Sequence, residues 1–194
     1  MDFVSRAGQK LHFALTTFRI NPAGMICADL GSNVGGFVDC MLQLGAARVY
    51  SIDTGYGVLD YKLRKNPSVV VMERTNAMHV NLPEPIDLIS IDVAWTRQRF
   101  ILPSVRRLLK DDGQVVTLIK PHYEADRKLL KEGVLPERHL SEVLKCVKQD
   151  IIAAGFSIGE IIESPIKGAG GNVEFLAQLR NSDSPARAQK VEAI

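Results

Sequence analysis

The chain has 194 residues, 46% of them hydrophobic and 24% charged, which supplies one sizeable core and makes a single domain the default expectation. A net charge of +2 is too small by itself to mark a nucleic-acid binder. Three cysteines without paired spacing or a metal-type histidine cluster point to a reducing compartment and argue against a zinc site.

Helical periodicity runs from Ser5 to Phe18, with Leu11, Ala14, Leu15 and Phe18 on one side and Ser5 as a candidate cap. Strands are expected near 25–29, 48–53, 69–73, 86–91 and 113–119, with helical segments between them. Pro121 breaks the pattern, a helix resumes near 139–154, and strands near 156–162 and 172–180 complete the domain. Strands alternating with helices imply an α/β fold with a mostly parallel sheet covered on both faces. Ser164 to Gly171 is too short for a crossover helix, so the last two strands are expected as an antiparallel hairpin at the sheet edge. The domain expectation is 1–180, with 181–194 a polar tail. Cys27 and Cys40 are expected in the core. The first residues lack a signal-type stretch, and no run approaches the ~20 apolar residues of a membrane span, so the expectation is a cytoplasmic protein without membrane contact.

The chemistry concentrates in Asp29-Leu30-Gly31-Ser32-Asn33-Val34-Gly35-Gly36-Phe37, where a buried strand ends at an acid and passes through glycines into an amphipathic segment. A dinucleotide turn would present helix-end amides to a pyrophosphate. Asp29 would repel that anion. It suits a ligand with a positive end, such as S-adenosylmethionine with its ammonium and sulfonium, while glycines let the backbone approach the rest. Asp53 ends the next strand about 20 residues on, where a ribose-diol acceptor belongs.

Ligands of open α/β sheets bind beyond the carboxyl ends of the parallel strands. Asp92 follows Leu88-Ile89-Ser90-Ile91 and Lys120 follows Val115-Val116-Thr117-Leu118-Ile119, so both emerge on that edge. Glu174 is expected to open the reversed last strand on the same edge, and Lys10 sits on the first helix, free to lie over the rim. Basic residues at Lys62, Arg64, Lys65, Arg97, Arg99, Arg106, Arg107, Arg127, Lys128 and Lys131, interspersed with Tyr56, Tyr61, Trp95 and Tyr123, form either solvated helix faces or a surface that tracks phosphates and stacks bases.

Together, Val4 through Leu11, Asp29-Leu30-Gly31 through Phe37, Val49 through Gly57, Glu73 through Ala77, Ile91-Asp92-Val93, Ile119-Lys120-Pro121 with Glu124, and Gly171 through Leu176 resemble the TlyA (hemolysin A) branch of the FtsJ-like RNA methyltransferases. The resemblance spans Phe3 to Arg180. It implies a Rossmann-like class I fold that binds S-adenosylmethionine and methylates the ribose 2′-hydroxyl of cytidines in ribosomal RNA. It implies a catalytic tetrad of Lys10, Asp92, Lys120 and Glu174. Asp29, Gly31, Ser32, Gly35, Gly36, Asp53, Thr75, Asn76 and Asp92 would surround the cofactor. Family members usually carry an S4-type RNA-binding domain ahead of this region. A separate RNA-binding partner is therefore a further expectation. Ala7, Ala94-Trp95 and His122-Tyr123 depart from the commoner glycine, Ser-Phe and Gln-Phe.

The chemistry is consistent with this. Methyl transfer needs an oxygen held in line at about 3–3.5 Å. Lys120 is the candidate to relay the hydroxyl proton, or, if it stays charged, to position the oxygen. Its unperturbed pKa of ~10.4 would be lowered by Lys10 and raised by Asp92 and Glu174. Asp92-Val93-Ala94-Trp95 lacks the Asp/Asn-Pro-Pro-aromatic turn of base-amino methylation, and Cys146 lies too far along for attack at a pyrimidine carbon. Among His79, His122 and His139, only His122 is close enough to Lys120 in sequence to assist. The alternatives are a small-molecule O-methyltransferase with a lid over Tyr123 to Leu140, a non-catalytic RNA or ribosome adaptor, and a hemolysin.

Overall fold

The computed structural model describes residues 1–182. Five strands, β1 (Ile26–Leu30), β2 (Arg48–Ile52), β3 (Val69–Met72), β4 (Ile86–Ile91) and β5 (Leu109–Ile119), run parallel, and β6 (Phe156–Glu163) and β7 (Phe175–Asn181) complete a seven-stranded sheet of order β3-β2-β1-β4-β5-β7-β6. The closing hairpin is inserted with β7 antiparallel to both β5 and β6. The fold is the Rossmann-like one expected, with β6 as the edge strand.

Successive side chains of a strand point to opposite faces, so the apolar runs of β1, β4 and β5 feed two cores at once. On one face, Leu11 and Leu15 of α1 (Ala7–Thr17) and Phe37 and Met41 of α2 (Gly36–Gln43) pack on Cys27, Leu88 and Val116. On the other, Ile101 and Val105 of α4 (Gln98–Leu108) and Val147 and Ile151 of α6 (Leu140–Ala153) pack on Ile89, Val115 and Leu179. Cys27 and Cys40 are buried and free, and Cys146 is exposed.

Several expected boundaries move. Ser5 does not cap α1: Arg6 occupies that position with no side-chain cap. Space is the reason, because a Cβ at Gly36 would lie 2.3 Å from Ser5 Oγ and 2.9 Å from Gly8 N, so the start of α1 is pressed against α2. β5 begins at Leu109 rather than near 113, and a register shift between Ile86 and Leu88 absorbs the added residues. β7 starts at Phe175, so Glu174 precedes the strand instead of opening it. The Asn172 side chain accepts from Leu135 N at 3.1 Å and donates to the Gly133 carbonyl at 3.1 Å, which pulls that segment sideways out of the ladder. Asn181, expected in the tail, pairs with Phe156 in the sheet; the tail from 183 to 194 lies outside the described residues.

Candidate active site

Two lysine–carboxylate pairs meet at the carboxyl edge of the sheet. α1 crosses that edge and buries Lys10, whose Nζ donates to Glu174 Oε2 at 2.5 Å; the two residues are 7% and 4% exposed. Lys120, at the end of β5, places Nζ 2.6 Å from Asp92 Oδ1 and 3.4 Å from the Val93 carbonyl. The Asp92 contact is ionic and not aligned as a hydrogen bond, since Asp92 Oδ1 has no hydrogen-bond partner. The β5–β7 register, in which Ile119 pairs with Phe175, sets Lys120 beside Glu174, and at the neighbouring His122 burial lowers the pKa, with Glu174 opposing that shift and Lys120 adding to it. The structure thus brings together all four residues expected at the rim.

Beside Asp92 is a cavity of about 390 Å³ lined by Gly31, Asn33, Asp53, Thr54, Gly55, Thr75, Asn76, Asp92, Val93 and Trp95, among others. Gly31 has φ +89°, and a Cβ there would strike the Asp92 carbonyl at 2.6 Å, so only glycine lets the two turns touch. Asp53 accepts from the amides of Asn33 at 2.8 Å and Gly55 at 2.7 Å, which fixes the walls of the cavity around a carboxylate. Asn76 accepts from Met78 N at 2.9 Å and closes the neighbouring turn.

Not every expected cofactor residue faces this space. Ser32 turns to the sheet, where its hydroxyl accepts from Ser51 Oγ at 2.8 Å. Gly35 packs under Leu59 and Leu63 of the segment leading into and forming α3 (Tyr61–Arg64), and Gly36 packs under α1. These glycines serve close packing, which one sequence cannot distinguish from close approach of a ligand. Asp29 is 1% exposed and lies behind the cavity wall. Its Oδ1 accepts from Ser90 Oγ at 2.6 Å, and its Oδ2 is buried with no partner. Burial pushes its pKa up to about 8; the Ser90 hydrogen bond opposes this, and Asp92 and Asp53 add to it.

The arrangement fits S-adenosylmethionine. Asp53 and Asp92 put carboxyl groups on the cavity wall with Asp29 behind them, and an unpartnered buried carboxyl oxygen is costly until a partner reaches it. A cationic ligand with a ribose answers both conditions.

A second cavity of about 520 Å³ lies on the other side of Trp95, lined by Arg97, His122, Tyr123, Arg127, Glu132 and Asn172, among others. The segment expected as a lid forms its side wall. Trp95 is 77% exposed, adopts φ +65°, and lies 5.0 Å from the Tyr123 ring, which in turn lies 4.2 Å from His122. The result is an exposed aromatic platform between the two cavities.

Several contributors escaped the sequence reading. Ser90 holds Asp29, and Thr117 Oγ1 donates to Gln98 Oε1 at 2.9 Å within the core. A lone hydroxyl inside an otherwise apolar strand is the signal both carry, because such a group must find a partner when buried.

Residues 3–181 match the FtsJ-like methyltransferase family. The chain belongs to that family. It is 40% identical over 189 residues to YqxC of Bacillus subtilis (strain 168), named as a candidate rRNA methyltransferase, covering 92% of this chain and 66% of the relative. It is 35% identical over 195 residues to the 16S/23S rRNA (cytidine-2′-O)-methyltransferase TlyA of Mycobacterium tuberculosis (strain ATCC 25618 / H37Rv), covering 97% of this chain and 72% of that one. A solved structure from Streptococcus thermophilus, titled as a candidate hemolysin, superposes with TM-score 0.91 at 38% identity over 98% of this chain and 75% of its own. Solved structures titled S-adenosylmethionine dependent methyltransferases share the fold at 17% and 18% identity, with TM-scores of 0.68 and 0.64. The protein is a methyltransferase of this family. Among the described residues no helix is long and apolar enough to cross a membrane, and no cluster of His, Cys, Asp and Glu could hold a metal.

Proposed function

We propose that this protein transfers the methyl group of S-adenosylmethionine to a ribose 2′-hydroxyl of ribosomal RNA, with cytidine the expected nucleoside from the name of the mycobacterial relative. The observation that carries this reading is the gathering of Lys10, Asp92, Lys120 and Glu174, distant in sequence, between a cavity walled by carboxylates and an aromatic, basic one.

S-adenosylmethionine supplies an electrophilic methyl on a sulfonium. Asp53 and the Thr75-Asn76 turn would hold it, with Asp29 behind them, and Gly31 keeps the wall beside Asp92 thin. The acceptor base lies against Trp95 and Tyr123, because a base has a π-face that stacking recognises. Arg97 and Arg127 line the same cavity and meet backbone phosphates. Lys120 would orient the acceptor hydroxyl toward that methyl and take up or relay its proton. Asp92 and the Val93 carbonyl hold the Lys120 Nζ in place. Lys10 is already neutralised by Glu174, and that pair fixes the acceptor sugar instead of taking the proton. The chain spans 66% and 72% of the length of these two relatives, and the partner proposed is ribosomal RNA or the ribosomal subunits.

The test is transfer of tritiated methyl from S-adenosylmethionine to ribosomal subunits and to naked ribosomal RNA, followed by nucleoside analysis. Label in a 2′-O-methylated nucleoside is the expected outcome. Cofactor binding without labelled RNA points instead to a small-molecule acceptor or to an adaptor. Lys120→Ala is expected to reduce single-turnover transfer by at least about a hundredfold, the usual worth of a positioned proton acceptor, with cofactor affinity nearly unchanged. Asp53→Ala is expected to show the opposite pattern, with weakened cofactor binding by calorimetry.

A further inference from the structure

The loop from Val93 to Arg97 carries the exposed Trp95 between the two cavities, closed within itself by Thr96 N donating to the Ala94 carbonyl at 2.8 Å. A bulky residue at φ +65° is disfavoured by contact of its Cβ with its own backbone. At 77% exposure the indole gains little from burial. Beyond the Tyr123 ring, 5.0 Å away, the restraint comes from the two ends of the loop, and both ends are fixed to the same short stretch of chain. At the first end, Lys120 grips Asp92 and the Val93 carbonyl. At the second, α4 starts at Gln98 with no side-chain cap from Arg97. The missing acceptor is Glu124, whose Oε1 accepts from Gln98 N at 2.9 Å. Arg97 Nη2 donates to the Ala125 carbonyl at 3.2 Å. The Gln98 side chain, 2% exposed, is locked by Thr117 of β5, three residues before Lys120. The backbone returns from Glu124 N to the Lys120 carbonyl at 3.4 Å and from Ala125 N to the Pro121 carbonyl at 2.9 Å, so Glu124 and Lys120 belong to one turn.

We propose that Glu124 and Gln98 are positioning residues that brace the Trp95 loop against the Lys120 turn, holding the indole in its strained pose at the mouth of both cavities. Neither residue touches the reacting atoms. Glu124 supplies an oxygen to an amide at the start of a helix, a contact that ionised and amide side chains can both make, and the displacement prevented is that of Trp95 relative to Lys120. The catalytic consequence rests on the methyl-transfer reading. The structural one does not.

Trp95 is the only tryptophan in the chain, so intrinsic fluorescence reports the loop directly. The experiment compares wild type, Glu124→Ala and Glu124→Gln in the full chain, by steady-state anisotropy and acrylamide quenching, and in parallel by single-turnover methyl transfer at saturating cofactor. Glu124→Ala is expected to lower the anisotropy, to raise the quenching constant about twofold or more, and to slow transfer at least about tenfold, since loss of alignment near the reacting atoms carries penalties of that order. Cofactor affinity stays the same. Glu124→Gln keeps an oxygen for the Gln98 amide and is expected to behave as wild type in both measurements. Unchanged fluorescence in Glu124→Ala overturns the brace, as does a Glu124→Gln variant as loose as Glu124→Ala. If wild type transfers no methyl to RNA while the fluorescence follows the expected order, the brace stands and the RNA reading falls. Thermal melts accompany each variant, and Gln98→Ala, which leaves Glu124 in place but removes the Thr117 lock, is expected to loosen the indole in the same sense if Glu124→Ala fails to fold.

Discussion

Asp29 shows how a single side chain can be placed correctly by sequence and still behave unexpectedly. Its place at the end of β1, before a glycine turn, was legible. That one oxygen would be bound by Ser90 and the other left alone was not, because the partner comes from a strand 61 residues away in sequence. A raised carboxyl pKa means that the folded state favours the proton. The neutral form therefore gives its full stability below the ordinary carboxyl range, and that contribution is lost as pH rises through about 8. Asp29→Asn removes this loss. The variant is expected to melt at a higher temperature than wild type at pH 9, by a smaller margin at pH 6 and close to it near pH 4, read by calorimetric scans. It also removes the acceptor for a cationic ligand, so cofactor affinity is expected to drop about tenfold to a hundredfold, the worth of one hydrogen bond to a charged group. In wild type, cofactor binding near pH 7 should release a proton from Asp29, measurable as a dependence of the titration enthalpy on the ionisation heat of the buffer.

Among the elements, α1 and β7 show how a charge pair can tie the first helix to the residue that leads into the last strand. The hydrophobic spacing of Leu11, Ala14 and Leu15 fixes which face of α1 is buried, and that much was legible from periodicity. What brings Lys10 onto the rim is the close contact of Gly8 with Gly36, where a Cβ on Gly8 would lie 2.8 Å from the Gly36 carbonyl. No local pattern announces such a contact. The Lys10–Glu174 pair it produces is nearly dry, and removing one partner leaves the other buried and uncompensated. Glu174→Ala is expected to destabilise the fold by about 3–5 kcal/mol in urea titrations. Lys10→Met combined with Glu174→Leu should recover most of that loss, since apolar replacement of a buried pair is often neutral or stabilising. If the double variant is as unstable as the single one, the cost lies in the pair's own hydrogen bond and packing and not in a stranded charge. Either outcome leaves the double variant without methyl transfer.

For the whole molecule, charge distribution matters more than total charge. A net charge of +2 is unremarkable, yet Arg97 and Arg127 line the cavity beyond Trp95, and Arg74 and Lys65 lie over the exposed rings of Tyr56 and Tyr61 at 4.2 Å and 4.6 Å. Cations spaced among aromatic faces suit a polyanion whose bases are unstacked. RNA affinity is accordingly expected to fall steeply with salt. Arg127→Gln should lower the magnitude of the slope of log K against log salt by about 0.7–1, one phosphate contact, with little change in cofactor affinity. An unchanged slope would take Arg127 out of the RNA path.

The sequence by itself determined the strand–helix alternation, the parallel sheet with its reversed closing hairpin, and the edge on which Asp92 and Lys120 emerge. Those depend on periodicity of two or 3.6 residues and on the rule that strand ends form the ligand edge, and both are written locally in the chain. Only the tertiary structure decided that Lys10 pairs with Glu174 and Lys120 with Asp92, that Ser32, Gly35 and Gly36 turn from the cavity into packing, and that Trp95 stands exposed between two cavities. Each of these depends on which surfaces meet after the chain has closed on itself. The contacts join residues as far apart as the 164 positions between Lys10 and Glu174, a distance over which no local pattern of side chains carries information.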